Sequence, residues 1–361
     1  MGTRQSRLQA QSLPPAVDGV RIVFENRAGV LNAYQAGDGP PLLLIHSVNA
    51  AASAAEIAPL LAHYRATRCV FALDLPGFGF SERSDRAYTP RLMTDAILDM
   101  VDQIRSRCGD QPIDALALSL SSEFLARAAV ETPSVFRSVA LVSPTGFRGG
   151  RPRRAATGTT LYKPWLHHAL LGPGWGEALF RALTRPLVIR YFLRRTWGSR
   201  MIDERLWLYD VLTARQAGAE HAPLYFLSGG LFSADIHAIY EGLQIPVWMS
   251  RGVRGDFTNY RNLKIVDGRP NWRFSEYPTG ALPFFELPGS FCADYDAFLA
   301  ATPVTTVEAI RAAAAIGIAV SVESAVSVES AVSVESAASI EFAESVDTSG
   351  TAGGDGVRSA D

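Results

Sequence analysis

Residues 113–121 read Ile-Asp-Ala-Leu-Ala-Leu-Ser-Leu-Ser, a largely apolar run that stops at Ser119. A short run of this kind predicts a strand that is buried on both faces of a mostly parallel sheet. Apolar residues with helical spacing follow over Ser122–Ala129. Ser119 is therefore predicted at a sharp corner where a strand passes directly into a helix.

Further runs with strand character occur on both sides of this corner. Val20–Phe24 and Val30–Tyr34 roughly alternate between apolar and polar residues, which predicts a half-buried hairpin. The other strand-like runs are Leu42–Ile45, Cys69–Leu73, Val139–Val142, Ile245–Met249 and Trp272–Phe274. Because helical segments such as Met93–Ile104 separate the runs, we predict an α/β fold with a mostly parallel sheet flanked by helices. Functional side chains are then expected beyond the carboxyl ends of the strands.

The composition divides the chain into five segments. Residues 146–235 lose the strand–helix rhythm and contain many aromatics and prolines, so this stretch is predicted to be an inserted helical cap; it is called the cap segment below. The predicted segments are a flexible leader (1–18), the first part of the core (19–145), the cap segment (146–235), the second part of the core (236–303) and a low-complexity tail (304–361).

The predicted tail contains three near-copies of Ala-Val-Ser-Val-Glu-Ser between Ala319 and Ser336. A six-residue period fits neither a heptad nor an α-helix, and the acidic, aromatic-free repeat is typical of a disordered segment. The alternation of Val with Ser leaves a second interpretation open, a strand-forming segment that associates.

Composition restricts the classes of function. A net charge of −2 gives no reason to expect a nucleic-acid partner, and 48% hydrophobic residues suffice for one large domain with an insertion or for two small domains. Three scattered cysteines predict neither a disulfide framework nor a metal site. Neither a signal peptide nor a membrane-spanning run is apparent, so a cytoplasmic protein is expected.

Two loops after predicted strands have the character of a hydrolytic site. After Leu42–Ile45 come His46 and Ser47, and the backbone N–H of Ser47 is a candidate donor to a developing oxyanion. After the next strand, Asp-Leu-Pro-Gly-Phe-Gly-Phe-Ser over residues 74–81 predicts a fixed tight turn.

The corner at Ser119 is flanked by the small residues Ala117 and Ser121, so a strained turn that exposes the serine hydroxyl remains possible there. The N–H of Leu120, at the start of a helix, would be the second oxyanion donor. A serine that simply caps the helix is the alternative.

With these motifs in place, residues 20 to 300 resemble the α/β-hydrolase superfamily, in the branch with a helical cap. The resemblance rests on the Asp74–Ser81 segment and on the corner at Ser119. It implies a nucleophile at Ser119 and a triad acid in the loop Gly252-Val253-Arg254-Gly255-Asp256, where Asp256 is the match. A loop aspartate that makes a turn is the alternative.

The resemblance also implies a histidine about 25 residues later, and there the chain departs from the family. Residues 280–288 read Gly-Ala-Leu-Pro-Phe-Phe-Glu-Leu-Pro, so Ala281 occupies the histidine position, and no histidine follows His237. A serine hydroxyl without a base to take its proton is a poor nucleophile. His46, whose family role is structural, and His237 are the other candidates for a base.

The cap segment is basic, since residues 148–200 contain ten arginines and one lysine against the single acid Glu177. Such a surface is compatible with weak contact with an anionic membrane or with an amphiphilic ligand. An apolar underside beneath a layer of arginines explains it equally.

Three functions follow from the sequence. The first is a serine hydrolase for an ester or acyl bond of a small apolar molecule, with a non-standard triad and no cofactor. The second is an inactive pseudo-hydrolase that binds a small apolar ligand or a protein partner. The third, a lyase or oxygenase on the same scaffold, is weakened by Ala281 because those chemistries usually need the same base. The substrate and the oligomeric state do not follow from the sequence.

Overall fold

The computed structural model describes residues 13–171 and 176–303. Eight strands form one sheet in the order β1-β2-β4-β3-β5-β6-β7-β8. The strands are β1 (Val20–Asn26), β2 (Gly29–Ala36), β3 (Pro41–Ile45), β4 (Cys69–Asp74), β5 (Ile113–Leu118), β6 (Phe136–Val142), β7 (Val247–Gly252) and β8 (Trp272–Tyr277).

Helices connect these strands and cover the sheet. The helices are α1 (Ala58–Tyr64), α2 (Pro90–Cys108), α3 (Ser121–Glu131), α4 (Pro164–Leu170), α5 (Gly176–Leu183), α6 (Pro186–Trp197), α7 (Glu204–Thr213), α8 (His221–Leu227), α9 (Ile236–Gly242), α10 (Pro283–Glu286) and α11 (Pro288–Ala301). A further 3-10 turn, 54–57, precedes α1.

The sheet is parallel from β4 through β3, β5, β6 and β7 to β8. Only the first two strands run antiparallel, β1 against β2 and β2 against β4. The predicted α/β class with a mostly parallel sheet is therefore confirmed, and so is the hairpin at the amino-terminal edge.

The central parallel strands β3, β4 and β5 are mostly apolar because both faces of the sheet are covered there. Leu43 and Ile45 of β3 pack into one hydrophobic cluster, whereas Leu42 and Leu44 pack into a second. Successive side chains of a strand point to opposite faces, so a strand between two cores needs apolar residues throughout.

The Asp74–Ser81 segment is a turn built around a buried carboxylate. Asp74 accepts hydrogen bonds from Ala54 N, Phe80 N and Asn32 Nδ2, at 2.9, 3.0 and 2.9 Å. Gly79 has a φ of 51°, and a Cβ there would lie within 2.2 Å of the Asp74 carboxyl atoms. This segment therefore holds the loop after β4 in one conformation.

Helices α4 to α8 all lie within the cap segment, between β6 and β7. Buried polar contacts fasten its end to the core: Arg127 of α3 pairs with Asp235 at 2.7 Å, and Glu123 accepts from Ser233 N at 2.9 Å. The boundaries of the five segments remain predictions.

Residues 13–18 correct the expectation of a flexible leader over 1–18. Leu13 and Val17 are buried in the same cluster as Tyr34, and Ala16 N donates to the Tyr34 hydroxyl at 3.1 Å. The Tyr209 hydroxyl of α7 donates to Pro14 O at 2.9 Å. Two apolar side chains and two hydrogen bonds thus fix this stretch between the core and the cap segment.

The repeat tail, predicted over 304–361, lies outside the described residues. Within residues 13–171 and 176–303, none of the helices combines the length and apolar character needed to cross a bilayer. The three cysteines are free thiols, with the sulfurs of Cys69 and Cys108 3.7 Å apart.

Candidate active site

Ser119 lies at the corner between β5 and α3 in a strained left-handed conformation, with a φ of 52°. Its backbone N–H donates to Val142 O at 2.8 Å, which ties the corner to β6. The side chain of Ser121 donates to His46 O at 2.6 Å on the other flank. Helix α3 is capped by Leu120 without a side-chain hydrogen bond, so Ser119 does not act as a capping serine. Ser119 is thus a partly exposed serine in a left-handed turn between a strand and a helix.

Leu120 has the geometry expected of an oxyanion donor. Its backbone N–H donates to none of the described acceptors, and it lies at the amino-terminal end of the eleven-residue helix α3. Partial positive charge accumulates at such a helix end, so an oxygen carrying negative charge is stabilised there.

Ser47 does not offer the second donor, because its N–H is already used. The N–H donates to Glu56 Oε2 at 2.7 Å, and the Ser47 hydroxyl donates to Glu56 Oε1 at 2.9 Å. The next residue, Val48, has an N–H that donates to none of the described acceptors. The candidate oxyanion donor in this loop is therefore the N–H of Val48, and the prediction of Ser47 is corrected.

Glu56 is the residue that orders this loop, and the sequence analysis missed it. The carboxylate is buried and also accepts from Asn49 Nδ2 at 2.7 Å. Burial raises the pKa of Glu56, while the hydrogen bonds from Ser47 and Asn49 oppose that rise. The sequence signal was a single acid within the otherwise apolar stretch that precedes α1.

The carboxylate of Asp256 is hydrogen-bonded to an arginine of the cap segment, and none of the described imidazoles binds it. Arg195 of α6 binds both carboxylate oxygens, with Nε to Oδ2 at 2.5 Å and a terminal nitrogen to Oδ1 at 2.9 Å. The hydrogen bond with Asp256 raises the pKa of Arg195. The pair is exposed to solvent, and the Asp256 N–H also donates to Arg195 O at 3.2 Å.

Ala281 is held by the residue of α6 that follows Arg195. The Ala281 N–H donates to Thr196 O at 2.9 Å. A Cβ on Gly280 would lie 2.4 Å from Thr196 O and from Trp197 Cα, so only glycine fits at this contact. The last turn of α6 therefore lies directly on the position where the resemblance places a histidine.

The loops that contain Asp256 and Ala281 are thus each hydrogen-bonded to one of two consecutive backbone carbonyl groups at the carboxyl end of α6. The last carbonyls of a helix have no partner within the helix and need donors from elsewhere. Here Arg195 O accepts from the loop after β7 and Thr196 O accepts from the loop after β8. Trp197, the final residue of α6, is buried against Phe285, with ring centroids 5.5 Å apart.

Ser143 is a second site residue that sequence reasoning missed. It follows β6 in the same left-handed conformation as Ser119, with a φ of 47°. Its hydroxyl donates to Ala281 O at 2.8 Å, so the Ala281 loop is also tied to the core beside the serine corner. In the sequence Ser143 was no more than the end of a strand.

Neither alternative base candidate has a free ring nitrogen. His46 Nε2 accepts from Leu75 N at 3.0 Å, so its Nδ1 carries the proton that is donated to Ser47 O at 2.5 Å. Burial lowers the pKa of His46 to about 4. His237 is bonded to Gly146 O at 2.8 Å and to Arg153 N at 3.1 Å. Both imidazoles are therefore structural.

All six histidines lie within the described residues, and none of them forms a hydrogen bond with Ser119. The other four are bonded or close to partners elsewhere. Those contacts are His63 with Asp296, His167 with Tyr162, His168 with Pro164 O, and His221 with Asp85 and Glu220.

Asp210, in α7 of the cap segment, is a second buried carboxyl near the loop that follows β3. Asp210 of α7 is buried, and its Oδ1 atom has no hydrogen-bond partner among the described residues. Burial, and secondarily the charge of Glu56, raise the pKa of Asp210 well above its usual value. Its neighbour Val211 packs against Ala51 beside the same loop. Burial therefore disfavours the charged form of Asp210.

A surface pocket of about 330 Å³ lies away from this site, against β8 and the end of α11. Trp248, Phe274 and Phe298 line it, and its lining does not include the serine corner. Within the described part of the chain, no group of three or more His, Cys, Asp or Glu side chains is arranged to hold a metal ion.

Comparisons with known proteins agree with this architecture. A family model for the α/β hydrolase fold matches residues 40–193, from the start of β3 into α6. No curated protein sequence is significantly similar to this chain.

Solved structures give the same result at the level of the fold. A 2-hydroxy-6-oxo-6-phenylhexa-2,4-dienoate hydrolase from a Rhodococcus strain superposes with a TM-score of 0.60 at 17% identity, covering 79% of this chain and 100% of its own. A carboxylesterase from Bacillus subtilis gives 0.56 at 18% identity, covering 81% and 94%. A serine hydrolase involved in carbazole degradation gives 0.57 at 16% identity, covering 78% and 99%. The strand order and these matches together show that the chain has the α/β-hydrolase fold.

Proposed function

We propose that this protein is a non-hydrolytic member of the superfamily that binds a small apolar or amphiphilic molecule through a carbonyl or carboxylate oxygen. Two parts of the site are distinguished in this proposal. Among the described residues, the backbone N–H groups that can bind an oxygen atom are free, whereas the groups that would activate a nucleophile are missing or are bound to other residues.

The contact of the α6 carboxyl end with both catalytic loops carries the proposal. Thr196 O accepts the N–H of Ala281, and Arg195 accepts the N–H of Asp256 while binding its carboxylate. An alanine methyl group cannot take a proton from a serine hydroxyl, and an aspartate bound by an arginine has no imidazole to orient.

The binding half of the site rests on Ser119, Leu120 and Val48. The N–H groups of Leu120 and Val48 have no acceptor among the described residues, and Leu120 directly follows Ser119 at the corner. A free N–H at a helix amino terminus, with a second free N–H from the loop after β3, suits a carbonyl or carboxylate oxygen. The apolar remainder of such a ligand would lie under the cap segment.

A fluorophosphonate probe tests the loss of nucleophilic activation. We expect no covalent labelling of the folded protein, because labelling requires a base that takes the Ser119 proton. Labelling that disappears in Ser119→Ala and persists in Ser143→Ala would overturn the proposal. Ser143→Ala is the matched control, since both serines have left-handed backbones beside the Ala281 loop.

Ligand binding requires a separate measurement. Medium-chain fatty acids and their methyl esters are suitable probes, and we expect thermal stabilisation of the wild-type protein without release of product. Leu120→Pro removes the N–H of the residue that caps α3 and should abolish the stabilisation. Equal stabilisation of both proteins would assign the ligand to another site.

One observation favours a second candidate, slow cleavage of an acyl bond with a base supplied by the ligand itself. The left-handed φ of 52° at Ser119 costs roughly 1–3 kcal/mol, and backbone strain of this kind is concentrated at functional sites. This candidate predicts weak ester turnover that Ser119→Ala abolishes. It also predicts turnover only with esters that carry an amine or carboxylate near the acyl group.

Three free thiols, including the close pair Cys69 and Cys108, accord with a reducing compartment. We therefore propose that the protein works in the cytoplasm. Recovery of these thiols in reduced form from the cytoplasmic fraction of the native source is the test.

A further inference from the structure

We propose that the outer face of α6, the loop after it and the first turn of α7 form a docking surface for an anionic lipid bilayer. The surface, called the basic cap face, consists of four exposed apolar side chains and four exposed arginines between residues 185 and 205. It is separate from the serine corner, and it does not depend on the function proposed above.

The apolar members of the face are unusually accessible. Leu187 is 79% exposed and Met201 is 83% exposed, while Tyr191 and Phe192 are each 51% exposed. Leu187 and Tyr191 are four residues apart on α6, so they lie on the same side of the helix. Tyr191 and Phe192 pack edge to face, with ring centroids 5.4 Å apart. Isolated exposed apolar residues are ordinary, but a group on one helix marks an interaction surface.

The arginines of the face lack acidic partners. Residues 185–205 contain six arginines and two acids. Arg190 pairs with Glu204 and Arg195 with Asp256. The other four are exposed, and none of them forms an ion pair with a described residue. They are Arg185, Arg194, Arg200 and Arg205.

The positions of these arginines relative to the apolar side chains fit the interface of a bilayer. Arg185 precedes the first turn of α6 and Arg194 lies in its last turn, so the cations flank Leu187 and Tyr191. Guanidinium groups bind lipid phosphates through paired hydrogen bonds, while leucine and aromatic side chains enter the boundary between headgroups and acyl chains.

Charge selects the bilayer over other occupants. A second copy docked face to face would bring unpaired arginines of the two chains together, which is repulsive. A nucleic acid would satisfy the arginines but leave Leu187, Phe192 and Met201 exposed to water. Only an anionic lipid surface satisfies the cationic and the apolar members together.

Co-sedimentation of the full chain with vesicles tests the proposal. Vesicles of equal parts phosphatidylglycerol and phosphatidylcholine should sediment the protein, whereas pure phosphatidylcholine vesicles should not. High salt should weaken the binding, because screening reduces the attraction between arginines and phosphates. Absence of sedimentation with the anionic vesicles would overturn the proposal.

Substitutions then locate the binding to the face. We expect Leu187→Ser with Phe192→Ser, and separately Arg185→Gln with Arg194→Gln, each to weaken the binding by about tenfold or more. The controls are Val20→Ser with Val23→Ser on β1, where the valines are 73% and 60% exposed, and Arg107→Gln on α2. Unchanged binding of the cap variants, or equal loss in the controls, would contradict the proposal. A wild-type dimer that the apolar variants dissociate would instead assign the face to a second copy.

Discussion

Arg195 binds Asp256 through two hydrogen bonds, of 2.5 and 2.9 Å, so the carboxylate that the family resemblance assigns to catalysis is occupied by the cap segment. The backbone of the same arginine accepts the Asp256 N–H. Both the orientation of the carboxylate and the position of its loop are therefore set by α6. A base introduced at residue 281 would find no free acid beside it.

The first prediction concerns Ala281→His. We expect this single substitution to give less than about threefold gain in p-nitrophenyl acetate hydrolysis, because α6 lies on the Ala281 loop and Arg195 holds Asp256. It should also cost about 1–3 kcal/mol of stability, because the Ala281 side chain is buried. Ala293→His, at an exposed position of α11, is the control for both measurements. A gain of tenfold or more in the single variant would contradict this account.

The second prediction concerns Gly79→Ala. A methyl group at this left-handed position would overlap the Asp74 carboxylate, which holds three buried hydrogen bonds. We expect a loss of at least about 2 kcal/mol in urea unfolding beyond the backbone cost alone. Gly268→Ala measures that backbone cost, since its φ is +74° and nothing lies within 4 Å of the added Cβ. Equal losses in the two variants would show that Asp74 moves away freely.

The third prediction concerns the buried carboxyl of Asp210. Its pKa is raised in the folded protein, so the folded state keeps a proton that the unfolded state releases as the pH rises. The contribution of this group to stability therefore falls as the pH increases above the ordinary range of an aspartate. Asp210→Asn has no such titration, and its stability relative to wild type, measured in denaturant titrations, should increase as the pH rises above the ordinary range of an aspartate. Asp267→Asn, an exposed control, should show no such trend.

The fourth prediction concerns His46, whose pKa is lowered to about 4 by burial. In the unfolded chain the His46 imidazole is protonated as the pH falls through about 6.5, whereas in the folded protein it is protonated only near pH 4. Stability is therefore retained above pH 6.5 and falls as the pH drops toward 4, by on the order of 3 kcal/mol. His46→Gln should be less stable overall, yet it should lack this dependence. His63→Gln, on the exposed side of α1, should keep it.

The sequence predicted the fold well because local signals agree with the tertiary structure. The buried strand β3 is apolar throughout, the Asp74–Ser81 turn needs its glycine for a steric reason, and the corner at Ser119 tolerates Ala117 and Ser121 because both are small. Each of these signals is confined to a short stretch of chain.

The site was less predictable because its decisive contacts join distant segments. Arg195 reaches Asp256 across 61 residues, and nothing in the cap segment marks this arginine among the eleven other arginines there. Ser47 was a reasonable oxyanion donor until Glu56 proved to bind its N–H. Leu13 and Val17 resembled a loose leader because their partners, including Tyr34, lie in β2.

The carboxyl end of α6 has a consequence for engineering this scaffold. Because two adjacent carbonyl groups support both loops, no single codon change supplies an imidazole and an unoccupied acid together. Rebuilding a working triad requires that the helix be shortened or shifted first, and only then that residue 281 be replaced. The order of substitutions, more than their number, would decide whether catalysis can be installed.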